Sequence, residues 1–202
     1  MAAPTRILSL FSGIGGLDAG IRGAFPGARV VCHVEREIYA ARVLASRMEE
    51  GRLEPAPVWS DVCTFDARSW RGYIDAVSAG FPCPPVSVAG KRAGNEDSRW
   101  LWPQVVRVFR ESGARWVLLE NVRGLLSAND LREIGEVLGS IADCLCDAEG
   151  AVVSASDVGA SHLRERIFIL AHREGDPGGR IEPFELGRSA AGSCCHGEKL
   201  AD

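Results

Sequence analysis

A cysteine on a proline-rich loop is the residue of this chain best suited to nucleophilic chemistry. Cys83 stands between Pro82 and Pro84, shortly after an apolar run at 73–77 that predicts a buried strand. In open α/β sheets, ligands and catalytic groups collect at the carboxyl ends of the strands. A thiolate there can attack an electron-poor carbon, although it needs a partner group to do so. The alternative is a small apolar side chain packed under a turn.

Charged side chains stand at the ends of two other predicted strands. Glu120 follows an apolar run at 115–119, and a carboxylate there is costly unless it has a partner or a task. A catalytic role and a structural ion pair with an arginine both fit it. Arg164 and Arg166 flank the start of the last predicted strand, 166–171, and an extended backbone would place them on one face.

A glycine-rich turn follows the first predicted strand, residues 7–11. Between Ser12 and Gly16 the chain carries three glycines and then enters a helix, which can bring backbone N–H groups close to a nucleotide-like ligand. A tight strand-to-helix connection uses glycine for its own reasons, so both interpretations stay open. Glu35, after the second strand, suits either ribose hydroxyls or a helix N-terminus. Asp61 suits either an adenine amino group or a turn cap.

Predicted strands and helices alternate along the chain. Helical spacing marks 37–49, 99–112 and 131–145, and two further strands are expected at 58–60 and 151–155. This alternation predicts an α/β fold, with a mainly parallel sheet and helices on both faces. The short connection between the last two predicted strands favours an antiparallel hairpin, so the final strand is expected to run antiparallel.

Composition limits the class of protein. The 202 residues are 46% hydrophobic, which suits one compact domain with its own core, expected over 1–173. The polar, glycine-rich segment at 174–202 is expected to be loop-like or partly disordered. No apolar run is long enough to span a membrane and no signal-peptide pattern is found, so we expect a cytoplasmic protein without membrane contact.

Cysteine spacing and net charge narrow the class further. The seven cysteines form no repeated C-x-x-C pairs, so we expect neither a disulfide framework nor a metal site. The formal net charge is −4, whereas tight binding to a phosphate backbone usually needs a basic surface. A nucleic-acid-binding surface would therefore be local, or supplied by another chain.

Five motifs, in this order and spacing, resemble those of the DNA cytosine-5 methyltransferase family. They are a glycine motif, a catalytic-cysteine loop, the end of that loop, a Glu-Asn-Val motif and an arginine motif, and together they extend over roughly residues 7 to 171. The matching segments are 11–17, 80–83 with 87–92, 96–99, 120–122, and 159–160 with 164–166.

The resemblance implies a Rossmann-like fold that uses S-adenosylmethionine to methylate C5 of a flipped-out cytosine in DNA. Cys83 would be the nucleophile that adds to C6, Glu120 would hold the ring at N3 and the exocyclic amine, and Arg164 and Arg166 would fix the base and the catalytic loop. The implied cofactor contacts are Phe11, Gly13, Gly15, Gly16, Leu17, Glu35, Asp61, Val62 and Pro82. The implied substrate and loop contacts are Pro82, Ser87, Lys91, Arg99 and Asn121.

The sequence departs from the family pattern at several points. Ser9 stands where many members carry Asp, and Pro84, Val86 and His162 replace Gln, Phe and Gln. We find no target-recognition domain after the arginine motif, so we expect either a compact form or a second chain that supplies DNA recognition. The alternatives are a tRNA cytosine-5 methyltransferase and a non-catalytic domain that binds cofactor or partner. Restriction-modification and phage self-protection both fit the residues.

Overall fold

Among the residues that the structure describes, seven strands and four α-helices make up most of the regular structure. The computed structural model describes residues 5–83, 100–127 and 131–173, and the segment 174–202 lies outside them. The strands are β1 Arg6–Leu10, β2 Arg29–Val34, β3 Val58–Trp59, β4 Ala76–Ala79, β5 Trp116–Val122, β6 Cys146–Ser154 and β7 Glu165–Arg173. The helices are α1 Gly16–Ala24, α2 Ile38–Glu49, α3 Trp102–Ser112 and α4 Arg132–Ala142.

The strands form one sheet in the order β3-β2-β1-β4-β5-β7-β6. The first five pair in parallel, and β7 runs antiparallel to both β5 and β6. The predicted fold class and the antiparallel hairpin of the last two strands are therefore confirmed. Because the chain order reverses between β1 and β4, the carboxyl ends of these two strands border a crevice in which ligands of such sheets bind.

Both faces of the sheet are covered. Successive strand residues point to opposite faces, so Ile7 packs with Ala76 and with Ile21 of α1, in one cluster. Leu8 belongs to a larger cluster on the other face, which includes Val105 of α3. Strands covered on both faces in this way are apolar throughout, and the five-residue β1 is buried along almost its whole length.

The start of β4 differs from the prediction. The apolar run at 73–77 predicts a strand from Tyr73, but β4 begins only at Ala76. The N–H groups of Tyr73 and Ile74 donate to the carbonyl of Trp70 and close a turn, so the sheet ladder starts when the N–H of Asp75 donates to the carbonyl of Arg6. Strand β4 also ends later than predicted, at Ala79 instead of residue 77, so it extends closer to the cysteine loop.

Several other boundaries also shift. Strand β5 continues to Val122 instead of ending at residue 119, so Glu120 lies within the strand. Strand β6 begins at Cys146, five residues before the predicted start, because its residues Cys146 to Ser154 pair with the whole of β7, Glu165–Arg173. Helices α3 and α4 are shorter than the predicted 99–112 and 131–145. None of the helices among the described residues is long and apolar enough to cross a membrane.

Asp75 should contribute to stability in a pH-dependent way. Burial alone would raise the pKa of this carboxyl, but the hydrogen bonds from the Arg6 guanidinium and backbone N–H, the shortest at 2.8 Å, outweigh it and lower the pKa. A lowered folded-state pKa gives stability that is present above the unfolded pKa and lost as the pH falls below it. We expect Asp75→Asn to reduce the free energy of unfolding by about 1–2 kcal/mol at neutral pH.

Urea unfolding at neutral pH and below about pH 4 checks this, because the difference from wild type should shrink in acid as wild-type Asp75 becomes protonated. Asp147→Asn, which changes an exposed carboxylate on β6, serves as the matched control and should have little effect. An equal loss for Asp75→Asn at both pH values would contradict the expectation.

Candidate active site

The predicted chemical groups meet at the carboxyl edge of the sheet. The glycine turn follows β1, Cys83 lies four residues after the end of β4, and Glu120 lies near the end of β5. Strand β4 is hydrogen-bonded to both β1 and β5, and its last residue, Ala79, is paired with Leu119. The next residues, Gly80 and Glu120, are therefore neighbours across the sheet.

Gly80 lets the Glu120 carboxylate lie close to the backbone of the neighbouring strand. A Cβ atom at Gly80 would stand 3.3 Å from Glu120 Oε2 and 3.9 Å from the carbonyl oxygen of Phe11. The first distance is tighter than ordinary van der Waals contact, so a larger side chain would push against the carboxylate. The turn after β1, the start of the cysteine loop after β4 and the carboxylate on β5 therefore lie next to one another at Gly80.

An ion pair fixes the other side of Glu120. Arg166 Nε lies 2.8 Å from Glu120 Oε1, and the two side chains are 22% and 28% exposed, so the pair is partly screened from water but still reachable. The antiparallel β7 makes this possible, because it places Arg166 opposite Val122 on β5. Glu120 therefore forms an ion pair with an arginine, which was one of its two predicted roles. Its second carboxylate oxygen, Oε2, faces Gly80.

The extended backbone that would place Arg164 and Arg166 on one face does not reach Arg164. Strand β7 begins at Glu165, and Arg164 has a φ of +26°, so its backbone is not extended. Its side chain is exposed, whereas that of Glu165 forms a 2.6 Å ion pair with Arg123. The two arginines of the motif therefore occupy different surroundings at the same end of the sheet.

A buried amide joins the strand of Glu120 to the loop of Cys83. The Asn121 side chain is 5% exposed, and its Nδ2 donates to the carbonyl of Phe81 at 3.0 Å. Phe81 in turn packs against Trp102, with ring centroids 5.3 Å apart, and edge-to-face against Trp100 at 5.8 Å. The backbone two residues before Cys83 is held by both the amide and the aromatic rings.

Cys83 itself is half-buried and packs against the core. Burial raises the pKa of its thiol, and the negative charge of the buried Glu133, on the first turn of α4, raises it further. In these surroundings the thiol is protonated at neutral pH. Formation of the thiolate therefore requires additional positive charge or hydrogen-bond donors near Sγ.

The turn after β1 has a backbone that few residue types can adopt. Gly13 and Gly15 have φ values of +53° and +83°, and Phe11 has +53°, an uncommon conformation for a bulky side chain. Added Cβ atoms at Gly13 and Gly16 would meet nothing within 4 Å, so the space beside the turn is open. Helix α1 starts at Gly16 without a side-chain cap, which suits an anionic group at its N-terminus.

Glu35 stands across from this turn. One carboxylate oxygen accepts from the N–H of Gly13 and the other from the N–H of Glu37, both at 2.7 Å. Each oxygen can accept a further hydrogen bond, so the half-buried carboxylate is held in place with acceptor capacity for a vicinal diol. These two acceptor oxygens, with the open space at Gly13, fit the nucleoside part of S-adenosylmethionine.

The remaining implied cofactor residues lie nearby or at the edge of this region. Asp61 caps a 3-10 turn over Val62–Thr64 by accepting from the N–H of Cys63 at 2.9 Å, so the cap interpretation is correct and the adenine contact stays a prediction. Val62 is buried, Leu17 is half-buried and Pro82 is exposed. Among the substrate and loop contacts, Ser87, Lys91 and Arg99 lie outside the described residues.

Two buried acids near the site were not predicted. Glu133 faces the core on α4, and Asp18 is buried on α1. Glu133 stands four residues before the buried Val137 of α4, and Asp18 stands three residues before the buried Ile21 of α1. That helical spacing is the sequence signal that could have found them. In the described part of the chain, no three His, Cys, Asp or Glu side chains are grouped to hold a metal ion.

Comparison with known proteins places this chain in a family. The family described as C-5 cytosine-specific DNA methylase matches residues 5–187, and the chain belongs to this family. The Type II methyltransferase M.NgoMIV of Neisseria gonorrhoeae is 31% identical over 164 residues, which make up 81% of this chain and 50% of that protein. M.CviJI of a Paramecium bursaria Chlorella virus is 34% identical over 170 residues, 84% of this chain and 43% of that protein.

The fold has solved counterparts as well. The crystal structure of a DNMT2 mutant from Spodoptera frugiperda is similar, with a TM-score of 0.69 and 20% identity, over 90% of this chain and 52% of that one. This likeness concerns the fold. The chain spans about half the length of the curated relatives it matches first, with coverage of 50%, 39% and 43%.

The influence of Glu133 on Cys83 can be measured directly. Glu133→Gln removes the negative charge that raises the pKa of the Cys83 thiol, so a larger thiolate fraction should be present at a fixed, mildly alkaline pH. We expect faster alkylation of Cys83 by iodoacetamide, followed by peptide mass spectrometry. The exposed Cys63, whose pKa does not depend on Glu133, is an internal control and should react at an unchanged rate. Unchanged Cys83 alkylation in the variant would refute the electrostatic assignment.

Proposed function

We propose that this chain is the catalytic part of an S-adenosylmethionine-dependent methyltransferase that acts on C5 of cytosine in DNA. The observation that carries the proposal is the placement of Cys83 and Glu120 on adjacent strand ends, joined by the Asn121 to Phe81 hydrogen bond. A nucleophile and a carboxyl group at one edge, next to an open glycine turn, are the parts that this reaction needs.

The chain's own residues can hold the cofactor. The turn from Phe11 to Gly16 would receive the amino acid part at the uncapped start of α1, and Glu35 would accept hydrogen bonds from the ribose hydroxyls. Asp61 and Val62 stand at the end of the neighbouring strand, where the adenine would lie. When bound, S-adenosylmethionine supplies an electrophilic methyl group.

Cys83 provides the nucleophile. Cytosine C5 is weakly nucleophilic, so the Cys83 thiolate first adds to C6, forming a C–S bond and shifting electron density onto C5. C5 would then take the methyl group from the cofactor, which would leave as S-adenosylhomocysteine. A base, such as a water molecule, would remove the C5 proton, and the released electron pair would re-form the C5=C6 double bond and expel the Cys83 thiolate from C6. Because burial and Glu133 raise the pKa of the Cys83 thiol, formation of the thiolate would need positive charge or hydrogen-bond donors near Sγ in the complex with DNA.

Glu120 and Arg166 orient the base and offset the developing charge. The carboxyl group of Glu120 would contact ring N3 and the exocyclic amine, where electron density changes as the thiolate attacks. Its ion pair with Arg166 holds it before the base arrives, so the group need not reorganise during the reaction. A cytosine inside a duplex could not reach these groups, so the target base would be flipped out.

DNA recognition would require more than the described surface. The chain carries a net charge of −4, and it spans about half of its first-matched relatives. A second chain that supplies target recognition and basic surface would complete the enzyme. The neighbouring reading frame is the first place to seek it.

Trapping of the covalent intermediate tests the proposal. DNA that contains 5-fluorocytosine blocks the last step, since fluorine cannot leave C5 as a proton does, and a Cys83–C6 adduct should accumulate in the presence of cofactor. The full chain is used, alone and with the candidate partner, and the complex is detected on a denaturing gel. We expect Cys83→Ala to abolish the adduct and to lower methyl transfer to normal DNA by on the order of 10³-fold or more.

Cys63→Ala changes a different, exposed cysteine and should leave both readouts intact. Methyl transfer that survives Cys83→Ala would contradict the mechanism. Cofactor binding without transfer to any substrate would instead favour a non-catalytic domain, and transfer to tRNA but not DNA would assign the substrate to RNA.

A further inference from the structure

A buried carboxylate lies beneath the glycine turn. Asp18 belongs to the first turn of α1 and is 1% exposed. Neither the sequence motifs nor the proposed chemistry gives it a task. A buried carboxylate is expensive unless it is hydrogen-bonded, and an apolar residue of similar size would avoid the expense, so its contacts are informative.

Two serines on adjacent strands donate to this carboxylate. Ser9 Oγ on β1 donates to Asp18 Oδ2 at 2.7 Å, and Ser78 Oγ on β4 donates to Oδ1 at 2.6 Å. The two serines are direct partners across the parallel ladder, and both are buried. Asp18 therefore ties the start of α1 to both strands that border the crevice.

The network also reaches the turn itself. Ser12, at the start of the glycine turn, lies with its Oγ 2.8 Å from Ser9 Oγ and 3.1 Å from the Ser9 carbonyl oxygen. His33 of β2 places Nδ1 4.0 Å from Asp18 Oδ2, but burial lowers the pKa of this imidazole more than Asp18 raises it. The neighbouring imidazole is thus neutral near neutral pH, and hydroxyl groups satisfy the carboxylate.

We infer that Asp18 is a positioning residue for the cofactor, which sets the conformation of the glycine turn through Ser9, Ser12 and Ser78. The inference rests on the proposed function, in which S-adenosylmethionine lies over this turn. The turn contains three residues with positive φ, Phe11 among them, and such a backbone persists only when its surroundings fix it. Asp18 joins the two ends of that turn: the strand before it and the helix after it.

Calorimetric titration with S-adenosylhomocysteine tests this role without relying on catalysis. Asp18→Asn keeps the shape but removes the charge and one acceptor, and we expect the Kd to rise about tenfold with unchanged stoichiometry. Ser78→Ala removes one of the two donors and should raise the Kd by about threefold. A purely structural role would lower the folded fraction, and hence the stoichiometry, while leaving the Kd of the folded molecules unchanged.

Ser112→Ala is the matched control. Ser112 is also fully buried and hydrogen-bonded, to the Phe109 carbonyl at 3.1 Å, but it lies at the end of α3. The Ser112→Ala variant should have a lower free energy of unfolding than wild type and an unchanged Kd for S-adenosylhomocysteine. A Kd for Asp18→Asn or Ser78→Ala equal to that of wild type would overturn the inference.

If Asp18→Asn fails to fold, a variant in which the side chains of Ser9 and Asp18 are exchanged still tests the inference. The double variant Ser9→Asp, Asp18→Ser keeps one carboxylate and one hydroxyl across the same 2.7 Å contact. Its Kd should lie within about threefold of wild type, whereas a folded swap variant that binds tenfold more weakly would overturn the inference. Failure of wild type itself to bind would instead refute the proposed cofactor site, so the two failures are distinguishable.

Discussion

The hydrogen bond from the Asn121 side chain to the Phe81 carbonyl is the contact on which the geometry of the site depends. It joins the end of β5, which carries Glu120, to the segment that leads from β4 to Cys83. An unsatisfied amide in this buried position would be destabilising by about 1–3 kcal/mol, so the two strand ends are held together strongly. Gly80 supplies the complementary feature, since its missing side chain lets the Glu120 carboxylate approach.

Two polar arrangements lie on either side of this contact and have different tasks. Toward solvent, the partly exposed pair of Glu120 and Arg166 remains accessible to a base. Beneath the turn, Asp18, Ser9 and Ser78 are buried and hydrogen-bond to one another. Burial and Glu133 raise the pKa of the Cys83 thiol, and a protonated thiol reacts with oxidants more slowly than a thiolate does.

The order and the periodicity of residues in the chain predicted most of the fold. The alternation of strands and helices predicted the mainly parallel sheet, and the motifs marked Cys83, Glu120 and the glycine turn as residues of one edge, where the strand ends bring them. Local patterns could not reveal competition for backbone hydrogen bonds. Tyr73 has the residue type of a strand, but its N–H closes a turn with Trp70 instead.

Long-range contacts were equally hidden from the sequence. The positive φ of Arg164 depends on how the chain enters β7, and it separates this residue from Arg166. Ser9 stands where many members of the family carry Asp. Asp18, nine residues later, places a carboxylate against the Ser9 hydroxyl, so the departure on the strand is accompanied by an acid on the helix.

A crystal structure of the protein with S-adenosylhomocysteine would test the central claim most directly, namely that the glycine turn, Glu35 and Cys83 surround one site. The ribose hydroxyls should lie about 2.6–3.2 Å from the Glu35 carboxylate, with the sulfur atom directed toward Cys83 and Glu120. A ligand bound away from the turn after β1, or one whose sulfur points away from Cys83, would contradict the account.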